Sequence, residues 1–362
     1  MRVLWLNHRG LDDPRAGGAE TTIREVGTRL RGLGVDFHLL CGSTGETREG
    51  TSSEPFPTHR FSGWVTPHLV ERSVLREIAP DIVVDDLAHV VPWFSPQLCN
   101  IPGIAFFRHL HRRTLLGQVG RARALSLAAV ERLYFKVYES WPFVTEGSVA
   151  LQDLVGLGVP PGHCRRITPG VDTLAFHPGE RAEEVTLLYF GGMRRYKRPA
   201  DAVSALAHLL SRGFNCKLIM VGDGPELGRV RNLAARLGTL SAVQFLGRLT
   251  QEELANVVSS SWINLHTSVA EGWGYSIMEA AAGGVPTVAY RVPGVTDAIV
   301  EGRSGVTVTD GDPRALADGV LRILPDVGSF STWARGYAET CSWDRCAQAW
   351  RETLHSVLAT SN

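Results

Sequence analysis

The chain has 362 residues, 44% of them hydrophobic, which is enough for about two domains of ordinary size, each with its own core. Lysine plus arginine and aspartate plus glutamate both number 37, so the net charge is zero and nothing in the bulk charge points to nucleic acid. The 6 cysteines form no Cys-x-x-Cys pair, which argues against structural zinc and for a reducing compartment, and no apolar run is long enough for a signal peptide or a membrane span.

Apolar, strand-like runs alternate with helical patterns through both halves of the chain. This alternation predicts an α/β fold with two doubly wound parallel sheets. The predicted strands are Arg2–Leu6, Phe37–Leu40, Ile82–Val84, Ile104–Phe107 and Phe143–Val144, then Val185–Phe190, Lys217–Val221, Val243–Leu246, Trp262–Leu265 and Thr287–Ala289. A segment rich in proline and glycine separates the two series, so we predict domains at 1–170 and 171–341, followed by a C-terminal helix within 342–362.

Ligands of open α/β sheets bind beyond the carboxyl ends of the strands, so the loops there carry the candidate residues. After the first strand, Gly17 and Gly18 open a helix and let a phosphate or sugar approach the backbone; an ordinary tight turn is the alternative. The Gly-x-Gly-x-x-Gly fingerprint is absent, which disfavours a dinucleotide-dependent dehydrogenase.

Acidic and imidazole side chains follow two later strands of the first half. Asp86 is placed either to accept a proton from an acceptor hydroxyl or to cap a turn. His109 and His111 follow Ile104–Phe107, and a histidine can donate to a sugar hydroxyl or to a developing charge. The basic helical pattern 122–138 either packs on the core or rests on an anionic membrane.

Four cations, Arg194, Arg195, Lys197 and Arg198, follow the first strand of the second half. A fixed positive charge at this position suits a diphosphate, and it stabilises the charge that grows on a departing phosphate. Lys197 is the strongest candidate for this role. A solvated basic turn is the alternative.

Glu271 and Glu279 bracket a glycine-punctuated loop that turns into a helix. A helix start offers unpaired N–H groups and a positive dipole, so the main chain at Ser276, Ile277 and Met278 is predicted to hold a diphosphate. Carboxylates accept hydrogen bonds from hydroxyls, which assigns Glu271 to a sugar ring and Glu279 to a ribose diol. The donor-binding residues predicted here are Gly272, Gly274, Tyr275, Ser276, Ile277 and Glu279.

This pair of glutamates, followed by the run AAAGGVP at 280–286, resembles the paired-glutamate signature of the family 4 retaining glycosyltransferases. Further segments resemble that family in the expected order: Asn7–Glu20, Tyr189–Pro199, Val221–Glu226, Phe245–Arg248 and Ser342–Ala347. The resemblance implies a GT-B fold, in which two Rossmann-like domains face a central cleft. It also implies that the first domain binds the acceptor, the second binds a nucleotide sugar, and the last helix returns to the first domain.

The activity implied is transfer of a hexose-like sugar from a nucleotide diphosphate, most simply a UDP- or GDP-sugar, to a hydroxyl on a small molecule, lipid or glycan, with retention of configuration. The resemblance assigns Phe245 and Leu246 to backbone contacts with the base and His109 to the reacting sugar. It also shows a departure, because Gly192 stands where the family usually has an arginine. Either Arg194 or Arg195 replaces that guanidinium, or the phosphate is held less tightly.

An Asp-x-Asp metal motif is not evident, so we predict neither a metal nor another cofactor. The expected setting is the bacterial cytoplasm, with any membrane contact peripheral at the inner face. Two other functions remain open: a GT-B sugar-nucleotide epimerase, which needs no acceptor, and a non-catalytic sugar-nucleotide binding protein, for which Gly192 is the supporting feature.

Overall fold

The computed structural model describes residues 1–13, 16–43, 54–63, 65–89, 91–110, 125–126 and 135–361. These residues fall into two compact units. The N-terminal unit holds the described residues up to Gly170 together with the C-terminal helix that begins at Trp343. The C-terminal unit is Val171–Ser342.

The N-terminal unit contains a parallel sheet of seven strands in the order β3-β2-β1-β4-β5-β6-β7. The strands are β1 (Arg2–Asn7), β2 (Asp36–Ser43), β3 (Thr58–Ser62), β4 (Ile82–Asp86), β5 (Gly103–Phe107), β6 (Phe143–Thr145) and β7 (Cys164–Arg166). The helices named in this unit are α1 (Gly18–Gly32), α2 (Thr66–Ile78), α3 (Ser95–Leu98) and α4 (Ser148–Gly156).

The C-terminal unit contains a six-stranded parallel sheet in the order β10-β9-β8-β11-β12-β13. Its strands are β8 (Thr186–Phe190), β9 (Lys217–Val221), β10 (Val243–Gly247), β11 (Ile263–His266), β12 (Thr287–Tyr290) and β13 (Gly305–Val308). Its helices are α5 (Pro199–Ser211), α6 (Leu227–Arg236), α7 (Gln251–Ser260), α8 (Tyr275–Ala282), α9 (Pro313–Ile323) and α10 (Val327–Thr340).

The central strands of both sheets are buried along their whole length, as in β4, β5 and β8. Helices cover both faces of such sheets, so their strands appear in the sequence as continuous apolar runs that can be recognised. Every strand predicted above is present. Three strands were not predicted. All three are edge strands; β3 and β7 are polar and largely half-exposed or exposed, and β13 is a short strand of 4 residues.

The last helix, α11 (Trp343–Ser361), belongs to the N-terminal unit, where it packs against α1. Its Trp350 is 1% exposed and lies with its ring centroid 4.7 Å from that of Trp5 and 4.9 Å from that of Phe106. The Arg29 guanidinium adds a hydrogen bond of 2.7 Å to Asp344. Burial of the indole on these rings holds the end of the chain to the first sheet.

One predicted segment, the basic helical pattern 122–138, lies largely outside the described residues. Among the helices that the structure describes, none combines the length and the apolar character needed to cross a bilayer.

Candidate active site

Three of the predicted segments meet at one edge of the C-terminal sheet. Since all six strands are parallel, the loops that follow β8, β9 and β11 emerge on the same side. These are the basic loop (Gly191–Arg198), the glycine loop (Val221–Glu226) and the segment around Glu271.

The glycine loop supports the basic loop through close backbone contact. A Cβ atom on Gly222 would lie 2.0 Å from the Gly191 carbonyl oxygen, and one on Gly224 would lie 2.5 Å from that of Met193. Both glycines also have positive φ angles, 124° and 154°. The amide of Met193 donates to the Asp223 carbonyl oxygen at 2.9 Å. Glycine at these two positions therefore fixes the path of the basic loop.

Lys197 and Glu271, both predicted from the sequence, form an ion pair. The Lys197 Nζ lies 2.5 Å from the Glu271 Oε1, and their side chains are only 21% and 13% exposed. Thr267 Oγ1 donates to the Lys197 carbonyl oxygen at 2.6 Å, and the amide of Glu271 donates to the Pro293 carbonyl oxygen at 3.0 Å. The backbone on both sides of the pair is therefore anchored.

The pair keeps both groups charged. Burial alone would favour neutral Glu271, but Lys197 and His266 outweigh it and hold the pKa of the carboxyl well below its ordinary value. Burial likewise opposes the charge on Lys197, and Glu271 more than offsets it, so the lysine pKa is raised. The site presents an ionised carboxylate and an ammonium group side by side at neutral pH.

His266, at the carboxyl end of β11, is a site residue that sequence reasoning did not identify. Its Nε2 lies 3.0 Å from the Glu271 Oε1, though not aligned for a good hydrogen bond, and its Nδ1 lies 3.2 Å from the Ser276 Oγ. The imidazole thus connects the carboxylate to the start of α8. Its position as the last residue of a strand could have identified it, because site residues of such sheets occur there.

Helix α8 begins as predicted between the two glutamates, with Gly274 at its N-cap in the left-handed region (φ 88°). The prediction that Ile277 and Met278 offer free amides is wrong. Both amides donate to the Gly274 carbonyl oxygen, at 2.9 and 3.2 Å. An anion at this helix start would therefore meet Ser276 and the residues before it.

Glu279 lies in the second turn of α8 and is half-buried. Within the described residues its carboxylate has no hydrogen-bond or ion-pair partner, and burial raises its pKa to about 7. A half-buried carboxylate without a partner has free acceptor capacity for hydroxyl groups.

The arginines of the basic loop differ in what they contact. Arg198 has a structural role. It donates to the carbonyl oxygens of Thr267 and Ser268 at 3.0 and 3.2 Å, pairs with Asp310, and lies over the Tyr290 ring. Arg195 is exposed. Arg194 is half-buried beside Gly192, where its Nε would lie 3.7 Å from a Cβ built on that glycine.

The predicted base-contacting residues lie in β10, which is an outermost strand of the C-terminal sheet. The pairing of β10 with β9 shifts between Phe245 and Gly247, so Leu246 is an extra residue outside the ladder. The Arg231 guanidinium lies 4.5 Å from the centroid of the Phe245 ring. A bulge of this kind frees backbone groups for other contacts.

In the N-terminal unit, Gly17 is the N-cap of α1 and Gly18 is its first residue. The Gly17 amide is already bound by the Glu20 carboxylate, at 2.7 Å, and Asn7 Nδ2 donates to the other oxygen of that carboxylate at 3.2 Å. The first turn of α1 is therefore capped by its own Glu20. A Cβ built on Gly17 would meet nothing within 4 Å, so the space beside this glycine is open.

Asp86 does not have the surroundings of the general base considered above. It is fully buried, and Arg108 binds both of its oxygens, at 3.0 and 2.6 Å. The same guanidinium donates to Glu146 at 2.6 Å, and the Trp5 indole donates to Asp86 at 3.2 Å. Both oxygens of this buried carboxylate are occupied by protein donors, so Asp86 has a structural role.

His109 directly follows Arg108 after β5 and is half-buried. Its predicted contact with the reacting sugar remains a prediction. His111 lies outside the described residues.

Each of the two units is an α/β domain with a parallel sheet. The C-terminal unit carries a basic loop, the Lys197–Glu271 pair and a helix start at the carboxyl ends of its strands. These features define a GT-B glycosyltransferase. A family model for group 1 glycosyl transferases matches residues 171–332, and one for glycosyltransferase family 4 matches residues 16–174. The chain belongs to the family 4 retaining glycosyltransferases.

The chain is similar to a D-inositol 3-phosphate glycosyltransferase from Acidothermus cellulolyticus, with 32% identity covering 95% of this chain and 86% of the relative. Over a shorter stretch, 41% of this chain and 38% of the relative, it is 33% identical to N-acetyl-alpha-D-glucosaminyl L-malate synthase of Bacillus anthracis. Among solved structures, HepE of Anabaena in complex with UDP and glucose superposes with a TM-score of 0.81 at 17% identity, covering 98% of this chain and all (100%) of HepE. At this identity the likeness concerns the fold.

Proposed function

We propose that this enzyme moves a hexose-like sugar from a nucleotide diphosphate donor to a hydroxyl acceptor, with retention of anomeric configuration. The observation that carries the proposal is the Lys197–Glu271 ion pair, 2.5 Å long, at the same sheet edge as the start of α8. An ionised carboxylate accepts hydrogen bonds from sugar hydroxyls, and the adjacent ammonium meets the phosphate that leaves the sugar. Glu279, one turn further along α8, accepts from the ribose diol.

The reaction follows from where charge develops. As the bond between sugar and diphosphate breaks, negative charge grows on the terminal phosphate, and Lys197, Arg194 and the start of α8 stabilise that charge more in the transition state than before it. Among the described residues, no side chain of the site is positioned as an obvious nucleophile, so the acceptor attacks the same face that the phosphate leaves. The departing phosphate takes the proton of the acceptor hydroxyl. Isolation of a covalent sugar adduct on a side chain would overturn this step.

Support for the donor comes from HepE, whose structure contains UDP and glucose, so UDP-sugars are tested first and GDP-sugars next. Support for a small polyol phosphate as acceptor comes from the inositol-phosphate relatives. A lipid or glycan hydroxyl is the other acceptor class, and it would bring a cytosolic enzyme into peripheral contact with the membrane. We propose that neither a metal nor another cofactor takes part.

The test begins with thermal unfolding of wild type and Glu279→Ala in the presence of UDP-, GDP-, dTDP- and ADP-sugars. A ligand that binds the folded state raises its melting temperature, so one donor should stabilise wild type and lose that effect in the variant. The donor found is then incubated with and without D-inositol 3-phosphate, and the products are read by NMR. An α-linked product from an α-linked donor supports the proposal. Donor isomerisation without acceptor would indicate an epimerase, and binding without turnover a non-catalytic protein.

A further inference from the structure

A cavity of about 850 Å³ lies in the C-terminal unit, away from the candidate active site. It is bordered by the residues just before β8, β11 and β12, among them Ala182, Trp262 and Val285, and by one face of α10. The basic loop and Glu271 follow the carboxyl ends of the same strands. The cavity is therefore at the opposite edge of the sheet, and its volume falls in the range of small-molecule sites.

One wall of the cavity is an aromatic ring held in place. The Trp262 indole donates from Nε1 to the Ala182 carbonyl oxygen at 2.8 Å, and the Ala182 amide donates to the Ser260 carbonyl oxygen at 2.9 Å. These two bonds fix the ring plane while leaving the side chain half-exposed to the cavity. A fixed, half-exposed indole is a surface on which a flat apolar group stacks.

Beside that ring lies a cation without an acidic partner. The Arg181 Cζ lies 5.5 Å from the centroid of the Trp262 ring, and its guanidinium donates to the Ser331 hydroxyl. No acidic side chain in the described part of the chain forms an ion pair with Arg181. By contrast, Arg335 on the same wall is satisfied by Glu339 at 2.7 Å and by three carbonyl oxygens. Arg181 thus retains donors for an anion.

One glycine on the cavity wall is exposed and has open space beside it. Gly336 lies inside α10 on the cavity wall, and a Cβ built on it would meet nothing within 4 Å. Glycine in a helix interior is unfavourable relative to alanine. Because no neighbouring atom requires glycine here, a larger side chain at this position would be accommodated and would reduce the open volume at the cavity wall.

We propose that this cavity is a second ligand site, which binds a flat organic anion: an aromatic ring that stacks on Trp262 and a carboxylate, sulfonate or phosphate that pairs with Arg181. The site is distinct from the donor site, and its existence does not depend on the proposed transfer reaction.

The experiment uses a matched pair of probes, anilinonaphthalene sulfonate and phenylnaphthylamine, which share their rings but differ in the sulfonate. Calorimetric titration of the full chain should give one site for the sulfonate and weaker binding of the neutral amine. Arg181→Gln should weaken the sulfonate about tenfold, which is the usual loss for a charge-assisted hydrogen bond, and should leave the amine unchanged. Trp262→Leu should weaken both probes.

Gly336→Leu fills the cavity from a position that touches no core atom, so it should abolish binding of both probes while its melting temperature is at least that of wild type. Arg236→Gln removes an exposed arginine of α6 outside the cavity, and Lys197→Ala alters the donor site; binding of both probes should persist in each. Equal probe affinity in wild type, Arg181→Gln and Gly336→Leu, or no binding to wild type, would overturn the proposal.

Discussion

At the scale of single residues, the Lys197–Glu271 pair is the best-defined feature of the site. Each side chain is mostly buried, so removing one partner leaves the other charged and poorly hydrated. We expect Lys197→Ala to lower the free energy of unfolding by about 2 kcal/mol and to slow transfer by about 10²–10³-fold. The double variant with Glu271→Gln should recover most of the stability and none of the activity. Urea unfolding of all variants measures this, and a double variant less stable than Lys197→Ala would contradict it.

Arg194 is the residue that we expect to replace the arginine missing at Gly192. Its side chain lies against the open face of that glycine, its charge acts on Lys197, and Arg195 is exposed instead. Arg194→Ala should weaken UDP binding by about tenfold or more, since a charge-assisted hydrogen bond to phosphate is lost. Arg195→Ala is the matched control and should bind UDP nearly as wild type does.

Moving the guanidinium gives a sharper test. Gly192→Arg combined with Arg194→Ala places an arginine where the family usually carries it, and this double variant should regain UDP affinity measured by calorimetry. Failure of Arg194→Ala to weaken UDP, with wild type binding UDP normally, would reject the role of Arg194 and leave the proposed function standing. Wild type that binds no nucleotide at all would instead reject the proposed function.

Glu279 makes stability depend on pH in a predictable direction. Burial raises its pKa from an ordinary value of 4.5 to about 7, so between these values the folded state holds a proton that the unfolded state has lost. Its contribution to stability is therefore present below pH 4.5, falls as pH rises, and levels off above pH 7. Glu279→Gln removes this dependence, so its stability relative to wild type should rise by up to about 3 kcal/mol between pH 4 and 8. Equal pH profiles in urea unfolding would contradict the assignment.

The sequence predicted the residues whose chemistry depends on local spacing and missed those that depend on distant partners. Lys197 and Glu271 were both predicted, because each stands in a recognisable loop after a strand. The ion pair between Asp86 and Arg108 forms because β4 and β5 lie side by side and both side chains adopt particular rotamers. No local sequence pattern reveals this. The bonds from the amides of Ile277 and Met278 to the Gly274 carbonyl are local by contrast, and they depend only on the residue at which α8 begins.

At the scale of elements, burial decided what could be predicted. Strands covered on both faces are continuous apolar runs and are easily recognised, whereas β3 and β7 are edge strands that need only one neighbour and keep polar side chains. β10 was predicted, but its bulge at Leu246 was not, since a change of register depends on the partner strand.

The helix α11 gives a prediction at this scale. Trp350 is 1% exposed between Trp5 and Phe106, so Trp350→Ala should lower the free energy of unfolding by about 3–5 kcal/mol. Trp333 in α10 is the matched control, because it is 49% exposed and contacts Arg303 over its ring face, and its replacement by alanine should cost less than about 1 kcal/mol. Urea unfolding followed by far-ultraviolet circular dichroism compares the two variants. If Trp350→Ala lowers the free energy of unfolding as little as Trp333→Ala does, α11 does not stabilise the N-terminal unit.

At the scale of the whole molecule, zero net charge means that a diphosphate has to be attracted by local cations. The basic loop supplies them: Lys197 beside Glu271, and Arg194 beside Gly192. No group of histidine, cysteine and carboxylate side chains suited to a metal ion occurs among the residues that the structure describes. We propose that fixed protein charges and the dipole of α8 stabilise the leaving group.

This assignment predicts how transfer responds to chelators and to salt. If, as we propose, no metal bridges the diphosphate, transfer should be unchanged by EDTA and not increased by added Mg²⁺ or Mn²⁺. UDP affinity should fall as NaCl rises from about 0.05 to 0.5 M, since the Debye length shrinks and partly exposed cations are screened. Arg194→Ala should show a shallower salt dependence than wild type, while Arg195→Ala should follow wild type. Activity lost on chelation and restored by a divalent ion would contradict the proposed mechanism, because Lys197 and Arg194 would then be insufficient to stabilise the departing diphosphate.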